Sequence, residues 1–178
     1  MARLGMFRSL WLTRLSQPAG ERIIYRHALK SPPRRILELG LGTLNRTERL
    51  LDIARTAVAV ADITYVGVDP FEGRGPGDPP GVSLKDAHRR LHDRAKVQLV
   101  PGGLDSLSRV CNRLTTFDLV VIAAPTDERQ MSRCWFFLQR LTSPQTTIFT
   151  ESASHTWSLM TKASLDALAS QSVLQRAG

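Results

Sequence analysis

Residues 35–43, Arg-Ile-Leu-Glu-Leu-Gly-Leu-Gly-Thr, decide the fold class of this chain. The segment 35–39 is short and mostly apolar, which predicts a buried β-strand. Gly40 and Gly42 then predict a tight turn, because a residue without a Cβ atom lets the backbone approach another group closely. Helical periodicity follows over residues 43–61. The stretch therefore predicts a strand, a glycine turn and a helix in direct succession.

The rest of the chain alternates apolar strands with helices in the same way. Nearly all-apolar strands between helices indicate a parallel sheet that is covered on both faces. We therefore expect an α/β fold with a doubly wound, mainly parallel sheet and helices on both faces. Ser83 and Asp86 form a capping-box pattern at the start of one helix. The further strands are predicted at 63–68, 97–100, 118–124 and 146–150, and the helices at 19–29, 83–94, 105–114, 127–141 and 155–173.

Length and composition favour one globular domain. The chain has 178 residues, of which 42% are hydrophobic and 22% charged, so it can bury a sizeable core. No apolar run approaches the roughly 20 residues that a membrane span needs. Cys111 and Cys134 lie in apolar helical stretches and are predicted to be reduced core residues of a cytoplasmic protein. The four histidines are scattered, and no metal site is predicted.

Most of the net charge of +8 lies near the N-terminus, because residues 1–35 hold eight Lys/Arg and one acid, Glu21. We expect residues 1–30 to form a basic helical segment and residues 31–178 to form the ligand-binding domain. Three interpretations of the segment stay open: a packed helix that frames the pocket, an anchor on a membrane surface, and a targeting segment. Nucleic-acid binders usually show a broader basic field or stacking aromatics, so nucleic acid is an unsupported partner.

Several polar and glycine residues follow strands, where ligands bind in doubly wound folds. Glu38 is suited to accept from an amine or a water, and Asp69 from both ribose hydroxyls of a nucleoside. Phe71 is placed to cover an adenine ring, and the turn Gly102-Gly103 offers backbone groups to an adenine edge. Asn45 stands where a dinucleotide-binding turn has its third glycine, which argues against a bound pyrophosphate.

Each of these acids also has a purely structural explanation. The less favoured alternative for Glu38 is a strand-end acid that backbone amides satisfy, and for Asp69 before a proline it is a turn former. Asp105 is suited to cap a helix as well as to reach an adenine amine. Glu151 and His155 follow the fifth strand on the ligand side and are the candidates for a base, although surface polarity explains them equally well.

The motif Glu38-x-Gly40-x-Gly42, together with Asp69, the Gly102-Gly103 turn and residues 117–122, resembles the class I S-adenosylmethionine-dependent methyltransferases. The resemblance covers about residues 20–151 and implies a Rossmann-like domain with S-adenosylmethionine as cofactor. The residues that it implies for cofactor binding are Glu38, Gly40, Leu41, Gly42, Asp69, Pro70, Phe71, Gly102, Gly103, Asp105 and Ala123.

The sequence also departs from the pattern of this family. Leu44 stands where many members have a third glycine, and Gly103 replaces an acid that often follows the third strand. Ala123 stands where the metal-dependent O-methyltransferases carry an aspartate, so we expect no divalent ion. About 27 residues follow Glu151, so we expect the family's usual last two strands to be missing and a five-stranded sheet in the order 3-2-1-4-5 to remain. Those strands belong to the part that often shapes the substrate pocket.

The sequence therefore favours a methyltransferase that acts on an unidentified small-molecule acceptor. Such an enzyme needs alignment and exclusion of water more than an acid–base set, because the cofactor carries the chemistry. One alternative is a non-catalytic module with this fold that serves as a binding or scaffold partner. A further alternative is an RNA methyltransferase that uses the basic N-terminal segment. The acceptor and the oligomeric state are left open.

Overall fold

A six-stranded sheet in the order β3-β2-β1-β4-β5-β6 forms the centre of the molecule. The computed structural model describes residues 6–124 and 128–177, with side chains for residues 10–124 and 131–172. The strands are β1 (Arg35–Leu39), β2 (Thr64–Asp69), β3 (Lys96–Pro101), β4 (Leu119–Ile122), β5 (Thr147–Glu151) and β6 (Trp157–Met160). The helices are α1 (Met6–Arg14), α2 (Arg22–Lys30), α3 (Asn45–Ala54), α4 (Leu84–Leu91), α5 (Leu107–Val110), α6 (Glu128–Arg140) and α7 (Lys162–Ala177).

The first five strands are parallel, and their order 3-2-1-4-5 confirms the predicted doubly wound α/β sheet. In the register of β1, Glu38 lies opposite Gly67 of β2 and Val121 of β4. All of these strands run in one direction, so their carboxyl ends meet at one edge of the sheet. The polar and glycine residues that follow the strands are therefore brought together.

Each face of the sheet buries its own core, which explains why the strands are apolar throughout. On one face, Ile36 and Tyr65 pack with residues of α2, α3 and α4. On the other face, Leu37 and Val66 pack with residues of α5, α6 and α7. The second core contains the two cysteines predicted to be core residues, Cys111 and Cys134, which are free and buried.

We expected both of the family's last two strands to be missing. This expectation is wrong for the sixth strand, because β6 pairs antiparallel with β5. Residues 155–173 were expected to form one helix, but α7 begins only at Lys162, after Thr161 Oγ1 accepts a hydrogen bond from Ser164 N at 3.1 Å. The four residues of β6 lie at the sheet edge, and Leu159 is 59% exposed. The strand is held by its ladder to β5, a tertiary interaction that local periodicity does not reveal.

The other predicted helices occur with different bounds. The helix expected over 43–61 is only Asn45–Ala54, since the chain turns at Arg55 to enter β2. The helix expected over 105–114 is a series of short turns, with 3₁₀ segments at Leu104–Ser106 and Cys111–Arg113 on either side of α5. At α4 the predicted capping is confirmed: Ser83 Oγ accepts from Asp86 N at 3.0 Å. Asp127, the first residue of the helix expected over 127–141, lies outside the described residues.

The N-terminal part packs on the rest of the protein through α2. Ile24, Tyr25 and Ala28 of this helix are fully buried in the core that also holds Ile36 and Leu50. In α1, Leu12 is buried, and a 3₁₀ turn at Ala19–Glu21 leads into α2. The division of the chain at residue 30 stays a prediction. In the part of the chain that the structure describes, no helix combines the length and hydrophobicity that crossing a membrane requires.

Candidate functional site

A cavity of about 390 Å³ lies at the carboxyl ends of β1, β2, β4 and β5. It sits where the order of the strands reverses around β1, which is the place where doubly wound folds bind ligands. Its volume falls within the range of small-molecule sites. Ten of the residues predicted from the sequence line it: Gly40, Leu41, Gly42, Asp69, Pro70, Gly102, Gly103, Ala123, Glu151 and His155.

The glycine turn after β1 forms one wall of the cavity. Gly40 and Gly42 both have positive φ angles, +79° and +57°. A Cβ atom at Gly40 would lie 2.9 Å from the Cβ of Ala123, so no side chain fits between the end of β1 and the end of β4. The turn therefore requires glycine at position 40 for both its conformation and its close contact with Ala123.

Asp69, at the end of β2, holds this turn in place. Its Oδ2 accepts hydrogen bonds from the backbone N–H groups of Leu41 (2.8 Å) and Gly42 (3.2 Å). Its Oδ1 accepts from the backbone N–H of Phe71 at 2.8 Å. Arg74 Nη2 also donates to Oδ2 at 2.8 Å. A single buried carboxylate thus joins the turn after β1 to the loop after β2.

The loop after β2 covers this side of the cavity. Asp78, Pro79 and Pro80 line the cavity together with Arg74. The Arg74 guanidinium lies against Gly81, where an added Cβ atom would be 1.9 Å from Cζ. The loop is thus folded around the Arg74–Asp69 ion pair.

Glu38 lies behind the cavity wall rather than in it. Its side chain has no exposed surface. It accepts hydrogen bonds from Arg46 Nε (2.6 Å), Thr47 Oγ1 (2.7 Å) and Tyr65 OH (2.7 Å). Burial and the adjacent Glu38 carboxylate raise the pKa of Tyr65 well above its usual value. Arg46 also donates to the carbonyl of Gly40 at 2.5 Å, so Glu38 acts on the cavity wall through Arg46.

Glu21 also lines the cavity, together with Gln17 and Pro18. It is 8% exposed. Its Oε2 accepts from Tyr25 OH at 2.5 Å and lies 3.8 Å from Arg49 Nη1. Burial raises the pKa of Glu21 in spite of these partners.

Glu151 and His155 form a pair at the rim. Oε1 of Glu151 lies 3.2 Å from Nδ1 of His155, and Oε2 accepts from the backbone N–H of Ala124 at 3.1 Å. His155 adopts a positive φ of +57° in the turn between β5 and β6. Its side chain is 82% exposed, whereas that of Glu151 is 15% exposed. A carboxylate that contacts one ring nitrogen leaves the other nitrogen available to accept a proton.

Several solved structures share this architecture. No protein-family model matches the sequence, and no curated protein matches it significantly. An O-methyltransferase from Bacillus cereus in complex with SAH is similar at 18% identity and a TM-score of 0.54, over 92% of this chain and 71% of that chain. The O-methyltransferase TomG from Streptomyces achromogenes, in complex with SAM, is similar at 16% identity and a TM-score of 0.54. That match covers 82% of this chain but only 63% of the TomG chain, less than two thirds of its length. Fibrillarin from Aeropyrum pernix, with bound S-adenosyl-L-methionine, is similar at 13% identity and a TM-score of 0.52, over 92% of this chain and 67% of that chain.

The chain has the fold of the class I S-adenosylmethionine-dependent methyltransferases. The fold that the sequence resemblance implied is thereby confirmed, with the sixth strand added.

In this methyltransferase fold, three of the predicted contact residues lie away from the cavity lining. Glu38 is enclosed as described above. Phe71 is 3% exposed and packs into the core beside α4, so its ring does not face the cavity. Asp105 is exposed in the turn Leu104–Ser106, whereas Leu104 itself lines the cavity.

Four charged residues that line the cavity of the methyltransferase fold were not predicted from the sequence as site residues: Glu21, Arg46, Arg74 and Asp78. Glu21 carried a signal, since it is the sole acid among the first 35 residues and thus stands out in a basic segment. Arg46 and Arg74 carried none, because only the folded chain brings them next to Glu38 and Asp69.

Proposed function

We propose that this protein is an S-adenosylmethionine-dependent methyltransferase that acts on a small-molecule acceptor. One observation carries the proposal: the glycine turn, Asp69 and the Glu151–His155 pair meet around one cavity at the reversal point of the sheet. The glycine turn supports close approach of a ligand to the backbone. The Glu151–His155 pair supports proton transfer at the same cavity.

The lining of the cavity suits the cofactor. Gly40 and Gly42 carry no side chain toward a ligand, and Leu41 contributes backbone beside them. We infer that the ribose binds beside Asp69 and the adenine beside the turn at Gly102-Gly103, as the family resemblance implies and as their positions in the cavity lining support. When bound, S-adenosylmethionine supplies an electrophilic methyl group on a positively charged sulfur, which acidic walls favour electrostatically. The chain spans only 63% of the TomG chain, so the activity is proposed from the site of this protein and not from that relative.

The chain itself contributes orientation and a proton acceptor. Asp69 and Arg46 hold the turn after β1 from two sides, so the cavity wall is organised before a ligand arrives. Such preorganisation aligns an acceptor with the methyl group, which accounts for most of what catalysis here requires. Glu151 orients His155 to take a proton from the acceptor.

Calorimetric titration tests the proposal. We expect S-adenosylmethionine and S-adenosylhomocysteine to bind the purified protein with a stoichiometry of one, and NAD to bind far more weakly. The variant Gly40→Val fills the space beside Ala123 and is expected to abolish binding. Its control is Gly73→Val, at a glycine with no atom near an added Cβ. Absence of heat with both adenosyl compounds at millimolar concentration would refute the proposed function.

A further inference from the structure

The cavity is acidic although the chain is strongly basic. The chain has 24 Lys/Arg and 16 Asp/Glu, yet the described lining of the cavity holds four carboxylates and two guanidinium groups. Both guanidinium groups are already paired: Arg46 lies 2.6 Å from the Glu38 carboxylate and Arg74 lies 2.8 Å from Asp69. Of the remaining carboxylates, Glu21 lies 3.8 Å from Arg49 Nη1, which is outside the lining, and the ion-pair partner of Glu151 is His155. Asp78 and Glu151 have no Lys or Arg partner among the described ion pairs, so the lining keeps an excess of negative charge that favours a positively charged ligand.

Glu21 presents an oxygen without a partner to this cavity. Its side chain is 10% exposed, and both contacts described for its carboxylate, from Tyr25 OH and Arg49 Nη1, involve Oε2. Among the described residues, none donates a hydrogen bond to Oε1. No fully buried side-chain oxygen of the described residues lacks a partner, so Oε1 is open to solvent and can accept a hydrogen bond from a donor or a cation there. Because Glu21 lines the cavity, a bound ligand can supply this donor or cation.

Glu21 and the His155–Glu151 pair belong to one wall. A Cβ atom on Gly20, the neighbour of Glu21, would lie 3.4 Å from the carbonyl oxygen of His155 and 3.2 Å from the ring of Trp157. The segment before α2 therefore packs directly on the turn between β5 and β6. Glu151 occupies Nδ1 of His155, and Nε2 has no hydrogen-bond partner among the described residues. The wall thus combines an anionic oxygen with a nitrogen that can accept a proton.

We propose that this wall binds the methyl acceptor and that the acceptor is an amine. The inference rests on the proposed methyltransferase function. The amine enters as an ammonium group, donates a hydrogen bond to Oε1 of Glu21 and loses one proton to Nε2 of His155. The freed lone pair forms the nitrogen–carbon bond to the methyl group while the carbon–sulfur bond breaks, and its electron pair stays on sulfur. The methylated nitrogen leaves as a cation, and exposed His155 returns its proton to solvent.

A hydroxyl acceptor fits this wall poorly. A phenol or an alcohol develops negative charge on oxygen as its proton leaves, beside the carboxylates of Glu21 and Glu151. The guanidinium groups of the described lining are neutralised by their own partners, so they stabilise such an oxyanion little. An amine keeps its positive charge before and after transfer. The raised pKa of Glu21 agrees with this, because a bound cation offsets the cost of the buried carboxylate.

Binding of sinefungin tests the inference without turnover. In sinefungin a carbon that bears an ammonium group replaces the methylated sulfur, so the probe places a cation at the transfer point. We expect it to bind the wild type about tenfold more tightly than S-adenosylhomocysteine does, as a charge-assisted hydrogen bond allows. In Glu21→Gln the ratio of the sinefungin affinity to the S-adenosylhomocysteine affinity should fall to about twofold or less. The control Asp166→Asn removes one negative charge from α7, outside the cavity, and should keep the full preference.

A second titration tests whether the wall binds the acceptor amine rather than only the positively charged sulfur of the cofactor. With S-adenosylhomocysteine as titrant, n-butylammonium chloride should lower its apparent dissociation constant in the wild type but not in Glu21→Gln, and n-butanol should have no such effect. Equal effects of the amine and the alcohol, or equal wild-type affinities for sinefungin and S-adenosylhomocysteine, overturn the inference. If Glu21→Gln does not fold, the affinities of the wild type for sinefungin and S-adenosylhomocysteine still test the inference. If no adenosyl compound binds, the proposed function itself is refuted.

Discussion

Arg46 Nε donates a hydrogen bond of 2.6 Å to Oε1 of Glu38, a carboxylate with no exposed surface. The same guanidinium lies 4.9 Å from the centre of the Trp157 ring and donates to the carbonyl of Gly40. One side chain thus connects α3 to the buried acid of β1, to the cavity wall and to the edge strand β6. The folded state and the site therefore depend on the same ion pair.

Removal of Arg46 is expected to destabilise the protein strongly. Arg46→Met leaves the Glu38 carboxylate buried beside only two hydroxyl donors, which should cost about 3–5 kcal/mol of the free energy of unfolding. Arg90→Met is the matched control, because Arg90 pairs with Glu48 at 2.7 Å on the surface and that pair contributes less than about 1 kcal/mol. Urea denaturation measures both. Similar losses in the two variants would contradict the distinction.

Two alanine substitutions separate backbone conformation from close contact in the glycine turn. Gly42→Ala places a Cβ atom 3.8 Å from the nearest heavy atom, so only its positive φ is penalised, by about 1–2 kcal/mol. Gly40→Ala adds the approach of 2.9 Å to Ala123 and should cost more in both stability and affinity for S-adenosylhomocysteine. Gly73→Ala is the control. Calorimetry that ranks Gly42→Ala below Gly40→Ala in affinity would contradict the geometry.

The buried Glu21 predicts a pH dependence of stability. Burial raises the pKa of Glu21 above its ordinary value of 4.5, so the folded state holds a proton that the unfolded state has released in the interval just above that value. Stability from this group is present below pH 4.5 and decreases as the pH rises through the raised pKa. Glu21→Gln should therefore gain stability relative to the wild type between pH 4 and pH 8, as measured by urea denaturation.

The unfolding free energy of Asp166→Asn relative to the wild type should instead decrease as the pH rises. Hydrogen bonds from Lys162 and Gln139 lower the pKa of Asp166 below 3.8, so its contribution is present above that pH and is lost as the pH falls. The difference in unfolding free energy between Glu21→Gln and the wild type should change with pH. If it does not, or if it changes in the same direction as the difference for Asp166→Asn, the role of the buried carboxylate is contradicted.

The loop after β2 is expected to become protected when ligand binds. Asp78, Pro79 and Pro80 line the cavity, so a bound ligand disfavours the open form of the loop. At a concentration one hundred times its dissociation constant, S-adenosylhomocysteine should make opening about 100-fold rarer. Limited trypsin digestion after Arg74 measures this. Cleavage after Arg109, exposed and away from the cavity, is the internal control. Equal cleavage after Arg74 with and without ligand would show that the loop has no such role.

Methyl transfer is expected to be independent of divalent metal. Ala123 offers no carboxylate at the end of β4, and within the described residues there is no group of three His, Cys, Asp or Glu side chains arranged for a metal ion. Activity on an amine acceptor should therefore be unchanged in EDTA. Restoration of lost activity by magnesium would show this prediction to be wrong.

The sequence predicted the parallel sheet and most of the cavity because both depend on local patterns. Five apolar strands and their turns fix which residues meet at the carboxyl edge, so Gly40, Gly42 and Asp69 were found as a group. The same reasoning failed for Phe71 and Asp105, whose backbone positions are near the cavity but whose side chains point into the core or lie at the surface. A position in a turn predicts proximity, whereas side-chain direction depends on the packing around it.

By itself, the sequence determined the alternation of strands and helices, the turn that requires glycine and the acid at the end of β2, since hydrophobic periodicity and residues without a Cβ atom act within a few positions along the chain. The strand order came from the resemblance to a known family. Only the tertiary structure decided the sixth strand, the enclosure of Glu38 by Arg46, Thr47 and Tyr65, and the presence of Glu21 in the cavity lining. These features join residues that are distant in sequence or held at a sheet edge. Their free energy comes from burial and pairing that exist only when the whole chain has folded.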